Sequence, residues 1–178
     1  FAATMLGCIE RWRSSEHLVA SACYILGNLC PSVDITSHFW EGQDEAFVQT
    51  MTVTLDGAMT RDPAGVGEVW PKLMRAITNA GQAPFLALSI VRSPLMAMLL
   101  PPLTLPGCGD ELQLLSIACL NNVASSLRKS ASSSSSSLTE VEEDALLRLW
   151  AAHLGASVGF LLSARDKPEV AVEAAGCL

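Results

Sequence analysis

The stretch Leu18-Val-Ala-Ser-Ala-Cys-Tyr-Ile-Leu-Gly-Asn-Leu29 decides the fold, because two later parts of the chain repeat its pattern. One is Glu111-Leu-Gln-Leu-Leu-Ser-Ile-Ala-Cys-Leu-Asn-Asn-Val123, and the other is Pro168-Glu-Val-Ala-Val-Glu-Ala-Ala-Gly-Cys-Leu178. Self-similarity of this kind is typical of helical repeat arrays, in which each repeat buries its apolar face against the next. We therefore expect an all-α chain, and such arrays serve as binding surfaces far more often than as enzymes.

The spacing of the copies indicates the type of repeat. A weaker copy, Lys72-Leu-Met-Arg-Ala-Ile-Thr-Asn-Ala80, lies between the first two, and apolar residues recur in every copy at the helical spacing of i, i+3, i+4 and i+7. The shared asparagines are Asn28, Asn79 and Asn122, which are 51 and then 43 residues apart. Armadillo and HEAT repeats are about 40–47 residues long. Shorter apolar helices are predicted ahead of the copies, at 3–12, 46–59, 94–100 and 145–162.

The predicted organisation is an α-solenoid of about three and a half repeats. Residues 1–30 form the end of one repeat, 31–82 a second, degenerate repeat, and 83–128 a third. Residues 129–138 are predicted to form a flexible loop, because serine dominates them. Residues 139–178 form a truncated fourth repeat. Since the chain begins without Met and ends within a helical pattern, we expect a fragment of a longer array.

Composition excludes several functional classes. Half of the 178 residues are hydrophobic and 16% are charged, which is too apolar for a disordered chain. The net charge of −7, with Arg128-Lys129 as the one basic cluster, argues against nucleic acid and favours a basic partner. No uninterrupted apolar run approaches the length that spans a bilayer. Most of the six cysteines fall within apolar helical patterns, so we expect free buried thiols and a reducing, cytoplasmic location, with the nucleus as an alternative.

The residues Ala22-Cys-Tyr-Ile-Leu-Gly-Asn-Leu-Cys30 resemble the last helix of an armadillo repeat, and 160–178 resemble its second helix, turn and third helix. The resemblance implies a right-handed superhelix whose third helices line a concave groove. In the nuclear-import adaptors of this family, a Trp and an Asn four residues later hold an extended peptide. This chain keeps the Asn in three copies, but the Trp position holds Tyr24, Arg75 and Ala118. The Ala-Cys-x-x-Leu-Gly-Asn-Leu pattern also resembles, more loosely, the armadillo-built small-GTPase dissociation stimulators.

One ridge of side chains is predicted on each repeated helix, because a 4-3-4 spacing keeps them on the same face. The ridge consists of His17, Ser21, Tyr24 and Asn28 on the first helix, Glu68, Lys72, Arg75 and Asn79 on the second, and Glu111, Leu115, Ala118 and Asn122 on the third. The predicted partner-binding residues are Tyr24, Asn28, Arg75, Asn79, Asn122, His17 and Ser21. An asparagine amide can hold the backbone of an extended peptide, or it can cap its own helix end. The sequence leaves both roles open.

Nothing in the sequence indicates catalysis. Gly155-Ala-Ser-Val-Gly159 matches the nucleophile elbow of hydrolases, but it lies in a helical pattern and no His follows residue 153. Gly65-Val-Gly67 lacks the third glycine of a dinucleotide loop and indicates a turn. The histidines at 17, 38 and 153 show no ligand spacing, and Cys23 and Cys30 are too far apart on a helix for one zinc ion. We expect no metal and no cofactor.

The sequence therefore predicts a non-enzymatic scaffold or adaptor that binds a protein along its concave face. Two alternatives use the same architecture. One is an armadillo-type regulator or chaperone of small GTPases, and the other is a structural segment of a large assembly. The partner is expected to be a protein, with a basic peptide or a small GTPase as candidates.

Overall fold

The computed structural model describes residues 1–30, 40, 42–104, 107–132 and 151, and the secondary structure of this part of the chain is entirely helical, without strands. This confirms the all-α class. The predicted fourth repeat at 139–178, His38, His153 and the Gly155-to-Gly159 motif lie outside the described residues, apart from Ala151. The last copy of the repeated pattern, at 168–178, lies outside them as well.

The described residues form helices of 4 to 23 residues. Their bounds are α1 Ala2–Arg11, α2 Glu16–Leu29, α3 Asp44–Arg61, α4 Val69–Ala80, α5 Pro84–Val91, α6 Leu95–Met98, α7 Pro101–Thr104 and α8 Asp110–Ser132. The helices predicted at 3–12 and 46–59 are confirmed as α1 and α3. The helix predicted at 94–100 is shorter, because prolines on both sides confine α6 to four residues. Helix α8 runs to Ser132, so residues 129–132 of the predicted serine-rich loop are helical.

Local chemistry explains where the helices begin. Acidic side chains occupy the first turn of three helices, as with Asp44 in α3 and Asp110 in α8, where they complement the positive end of the helix dipole. Pro84 is in the first turn of α5, where its missing N–H has no helical partner in any case. Gly107 precedes α8 with a φ of 82°, a left-handed conformation that glycine adopts without strain.

The helices pack in two layers. In the first layer, α2 packs on α4, and α4 packs on α8. In the second layer, α1 packs on α3, and α3 packs on α5 and α6. Contacts of α1 with α2, α3 with α4, and α5 with α8 join the layers. Each of the first three copies of the repeated pattern thus supplies one helix to the first layer, and the helices that precede them supply the second. The preceding helix was predicted to be the shorter one, but α3 has 18 residues and α4 has 12.

The core lies between the layers. Leu26, Ile77 and Leu120 stand two residues before the shared asparagines of α2, α4 and α8, and none is more than 1% exposed. These predicted apolar positions are therefore buried, whereas Leu18 and Ile25 of α2, which belong to the same predicted apolar pattern, are 45% and 41% exposed. In the same core, the rings of Trp40 and Phe47 pack edge to face with centroids 4.8 Å apart.

Two hydrogen bonds between side chains connect helices of the second layer. Thr50 Oγ1 of α3 donates to Glu10 Oε1 of α1 at 2.8 Å. Ser89 Oγ of α5 donates to Asp44 Oδ2 of α3 at 2.8 Å. Each bond joins neighbouring helices and is partly shielded from water. It therefore fixes the position of one helix along the other more precisely than non-directional apolar packing does.

Candidate functional site

The shared asparagines connect neighbouring helices of the first layer. Asn79 Nδ2 on α4 donates to the backbone oxygen of Gly27 on α2 at 2.7 Å. Asn122 Nδ2 on α8 donates to the backbone oxygen of Thr78 on α4 at 2.9 Å. Each acceptor is the residue immediately before the asparagine of the preceding copy. The sequence predicted either ligand contact or capping of the asparagine's own helix, and this cross-helix bond is a third role.

Further polar contacts join neighbouring helices of the first layer. Thr78 Oγ1 lies 2.7 Å from the backbone oxygen of Met74 in its own helix and 3.0 Å from that of Leu115 on α8. Ser126 Oγ donates to the backbone oxygen of Gln82 at 2.8 Å. At Gly27, an added Cβ would lie 3.4 Å from the Cα of Ala76, so α2 and α4 approach closely there. The asparagine bonds satisfy the carbonyls of Gly27 and Thr78, which lie in the last turns of α2 and α4 and have no partner within their own helix.

A groove of about 540 Å³ opens at the surface of the first layer. Its walls are Tyr24 of α2, the first half of α4 with Lys72 and Arg75, the connection 65–68, and residues 109–112 at the start of α8. Tyr24 is 53% exposed and Val66 is 84% exposed. The volume falls within the range of about 300–1,000 Å³ that is usual for ligand-binding clefts.

The charges of the groove are arranged in pairs. Lys72 Nζ lies 2.9 Å from Glu68 Oε2, and Arg75 Nη2 lies 3.1 Å from Glu111 Oε1. The hydrogen bond from Lys72 holds the pKa of Glu68 below its usual value, and the Lys72 charge and, more weakly, His17 act in the same direction. Asp110 adds a third carboxylate to the lining. Carboxylates therefore outnumber cations in the groove.

The connection between α3 and α4 is held in a defined shape. Gly65 has a φ of 67°, and a Cβ there would clash with Leu112 Cδ1 and would lie 2.9 Å from the Trp70 ring. Asp62 Oδ2 accepts a 2.7 Å hydrogen bond from the Gly67 N–H. The turn predicted at Gly65-Val-Gly67 is thus present, and it directs the Val66 side chain into solvent at the rim of the groove.

The structure brings together only some of the predicted site residues. Tyr24 and Arg75 line the groove, whereas Asn28, Asn79 and Asn122 do not. His17 is exposed and Ser21 is partly buried, and neither lines the groove. Sequence reasoning missed the contribution of the connection, because its position beside α8 depends on the tertiary fold. The ridge spacing could have pointed to Glu68, Lys72 and Glu111, which it contained.

The buried cysteines are poor nucleophiles. Burial raises the pKa of Cys23, Cys30 and Cys119 from 9.0 to about 12, so these thiols are neutral at physiological pH. Cys108 is also buried, and Cys8 is exposed. Within the described ranges, no group of three or more His, Cys, Asp or Glu side chains could hold a metal ion.

We compared the length and hydropathy of the described helices with those needed to span a membrane. In the part of the chain that the structure describes, no single helix is long and apolar enough to cross a membrane. The segments Pro84–Val91 and Leu95–Leu103 satisfy length and composition together, with a bend of 84° between them.

Comparison of the chain with protein-family models, with curated proteins and with solved structures finds no match. The functional proposal therefore depends on the geometry of the groove and of the helix stack.

Proposed function

We propose that this chain is a non-enzymatic protein-interaction scaffold, built as an α-solenoid of armadillo/HEAT-like repeats, that binds an extended segment of a partner protein in the groove of the first layer. The observation that carries the proposal is the groove itself, with Tyr24 exposed along its wall. The right-handed superhelix of about three and a half repeats and the concave shape of this layer are part of the proposal.

The periodic bonds between helices support the solenoid. Asn79 and Asn122 occupy equivalent positions, and each donates to an equivalent carbonyl of the preceding helix. A repeated contact at a repeated position is what a stack of similar units produces, since each unit contacts only its neighbours. The two layers have the same order, because α1 and α2 are followed by α3 and α4, and then by α5 and α8.

The side chains of the groove suit a peptide. Tyr24 offers a rigid, exposed aromatic surface with a polar end, and tyrosine is one of the residue types enriched among the strongest contributors to protein interfaces. Val66 extends the apolar surface on the opposite rim. A cleft in which apolar side chains stand beside charged ones can take one or two side chains of an extended segment, while the main chain lies across the helix ends.

Charge indicates which side chains the partner presents. Lys72 and Arg75 are already paired with Glu68 and Glu111, and Asp110 adds a further carboxylate. The chain as a whole carries a net charge of −7. We therefore propose a partner segment in which a basic side chain stands next to an apolar one. A lysine or arginine in the groove would also lie close enough to Tyr24 for a cation–π contact.

The state of the cysteines supports a reducing compartment such as the cytoplasm. Among the described residues, the cysteines at 8, 23, 30, 108 and 119 form no disulfide bond. Free thiols persist where glutathione and thioredoxin keep them reduced.

A peptide-display selection against the full chain tests the proposed function. Enriched peptides are expected to carry a basic residue beside an apolar one, and their dissociation constants can be measured by fluorescence polarisation. Tyr24→Ala should weaken binding about tenfold or more, because a central aromatic contact is worth over ~1 kcal/mol.

The matched control is Ile25→Ala, which changes the neighbouring exposed residue on the same helix. This variant is expected to bind with unchanged affinity. Selection of no peptide above background, or equal loss of affinity in Tyr24→Ala and Ile25→Ala, would contradict the proposed groove function.

A further inference from the structure

Equivalent positions of the first-layer helices differ in burial. Val69 and Ala76 stand ten and three residues before Asn79, and both are buried, in the helix that packs on α2. Leu112 and Cys119 stand at the same positions before Asn122, and both are buried in the helix that packs on α4. On α2 the same positions hold Leu18 and Ile25, which are 45% and 41% exposed.

The shared asparagine shows the same difference. Asn79 and Asn122 each donate to a backbone carbonyl of the preceding helix. The Asn28 side chain is exposed, and it has no hydrogen-bond partner among the residues that the structure describes. Helix α2 therefore carries the complete set of stacking residues, two apolar side chains and an amide, on a side where the described chain has no helix.

We propose that Leu18, Ile25 and Asn28 form a stacking face that binds a further helix, parallel to α2, in the position that α2 occupies on α4. The occupant is the third helix of another repeat of the same type. Continuity with the existing interfaces supports this occupant. Ala76 and Asn79 contact α2 at Gly27, and Cys119 and Asn122 contact α4 at Thr78. Ile25 and Asn28 occupy the same two positions on α2. Exposed leucine and isoleucine at a two-turn spacing also form an apolar stripe that a packed helix would remove from water.

The interfaces already present define the chemistry of the occupant. Its last turn must offer a backbone carbonyl to Asn28 Nδ2, as Gly27 and Thr78 do for Asn79 and Asn122. The side chain opposite Ile25 must be small. At the α2–α4 contact, Gly27 lies against Ala76, which is the Ile25 position of α4. Because Ile25 is much larger than Ala76, glycine or alanine is required on the occupant.

This stacking face is separate from the groove. Leu18, Ile25 and Asn28 are not among the groove-lining residues. Loss of peptide binding in the groove and loss of helix stacking on α2 can therefore be measured independently. The stacking proposal rests on the repeat architecture of the proposed function, and not on peptide binding in the groove.

The test uses the full chain with a second copy of its own residues 1–43 added before Phe1. The added copy supplies a helix with the sequence of α2, including Gly27 and its carbonyl. Amide hydrogen exchange of the original α2 is expected to slow about tenfold or more, because its local opening then breaks an additional interface. Leu18 and Ile25 of the original α2 become protected from solvent.

Substitutions identify the face responsible. Ile25→Asp in the original α2 should abolish the added protection in the extended chain, while it shifts the urea midpoint of the unextended chain little. The matched control, Val53→Asp on α3, changes an equally exposed residue and should leave the added protection intact. Gly27→Leu in the added copy should also abolish it, since the larger side chain meets Ile25.

Three results would overturn the proposal. The first is unchanged exchange of α2 on extension. The second is a protection that survives Ile25→Asp. The third is self-association of the unextended chain that Ile25→Asp abolishes, which would assign the face to a second copy in place of a repeat helix.

Discussion

Leu26 and Leu120 occupy the same position in two helices of the first layer, and each is almost completely buried between the layers. Truncation of either to alanine leaves a cavity that close-packed neighbours fill only in part. We expect Leu26→Ala and Leu120→Ala each to lower the free energy of unfolding by ~2–5 kcal/mol, as measured by urea titration. The control is Leu18→Ala, which removes an exposed side chain and should cost less than ~0.5 kcal/mol. A loss that small for Leu26→Ala would show that the register is wrong.

Two effects disfavour a side chain at position 65: backbone strain and steric overlap. A matched pair of variants at Gly65 and Gly107 separates these two effects. The φ of 67° at Gly65 disfavours any side chain, and a Cβ would also clash with Leu112 and Trp70. Gly107 has a φ of 82°, but nothing lies within 4 Å of its Cβ position. We expect Gly107→Ala to cost about 1 kcal/mol of backbone strain, and Gly65→Ala to cost about 2 kcal/mol more. Equal urea midpoints for the two variants would contradict the described packing under the connection 65–68.

At the scale of the helices, the sequence was sufficient to predict the helices in which the apolar pattern extends over several turns. Helices α1, α2, α3 and α4 lie close to their predicted bounds, because their buried faces follow the helical period without interruption. Around residue 94 the prolines divide the predicted helix into short pieces. Serine has a modest helix propensity, so a loop was predicted from residue 129, but α8 continues to Ser132. Ser126 shows how tertiary contacts help, since its hydroxyl bonds to the preceding connection at Gln82.

The groove was only partly predictable from the sequence. The 4-3-4 spacing placed Tyr24 and Arg75 on exposed ridges, and both line the groove. The asparagines were predicted to contact a ligand or cap their own helices, because helical spacing describes one helix and carries no information on its neighbours. Their bonds to Gly27 and Thr78 depend on how closely the helices stack. For the same reason, Val66 could not be assigned to the groove before its connection was seen beside α8.

At the scale of the whole molecule, the free energy of unfolding depends on pH because three cysteine thiols are buried in the core. Cys23, Cys30 and Cys119 have a pKa near 12 in the folded chain, against an ordinary value of 9.0. Between these values the unfolded chain binds fewer protons than the folded chain, so stability is full below pH 9 and falls as the pH rises. Each thiol contributes at most ~1.4 kcal/mol per pH unit. We expect the urea midpoint to fall steadily above about pH 9.

A variant with Cys23→Ala, Cys30→Ala and Cys119→Ala isolates this effect. Its midpoint at neutral pH will be lower, because three buried side chains become smaller, but its decline above pH 9 should be shallower. The slope is the decisive quantity, since it is independent of the starting stability. An identical slope in the variant and the unmodified chain would show that these thiols are not protected from ionisation by burial.

Stability in such a stack comes from contacts between neighbouring units, so an interaction repeated at each interface has a larger structural effect than one isolated bond. Helix α4 illustrates this, because it packs on α2 on one side and on α8 on the other. The two asparagine bonds mark these interfaces, and Asn28 marks the face of α2 that we propose for a further helix. The periodic stack is therefore the claim on which the proposed function and the further inference both depend.

The most direct test of that stack compares the free energies of unfolding of Asn28→Ala, Asn79→Ala and Asn122→Ala by urea titration. Asn79→Ala and Asn122→Ala each remove a cross-helix bond and leave a partly buried carbonyl without its donor, so we expect each to lose ~1–2 kcal/mol. Asn28→Ala removes an exposed amide and should stay within ~0.5 kcal/mol of the unmodified chain. Equal losses in all three variants, or no loss in Asn79→Ala and Asn122→Ala, would contradict the periodic stack.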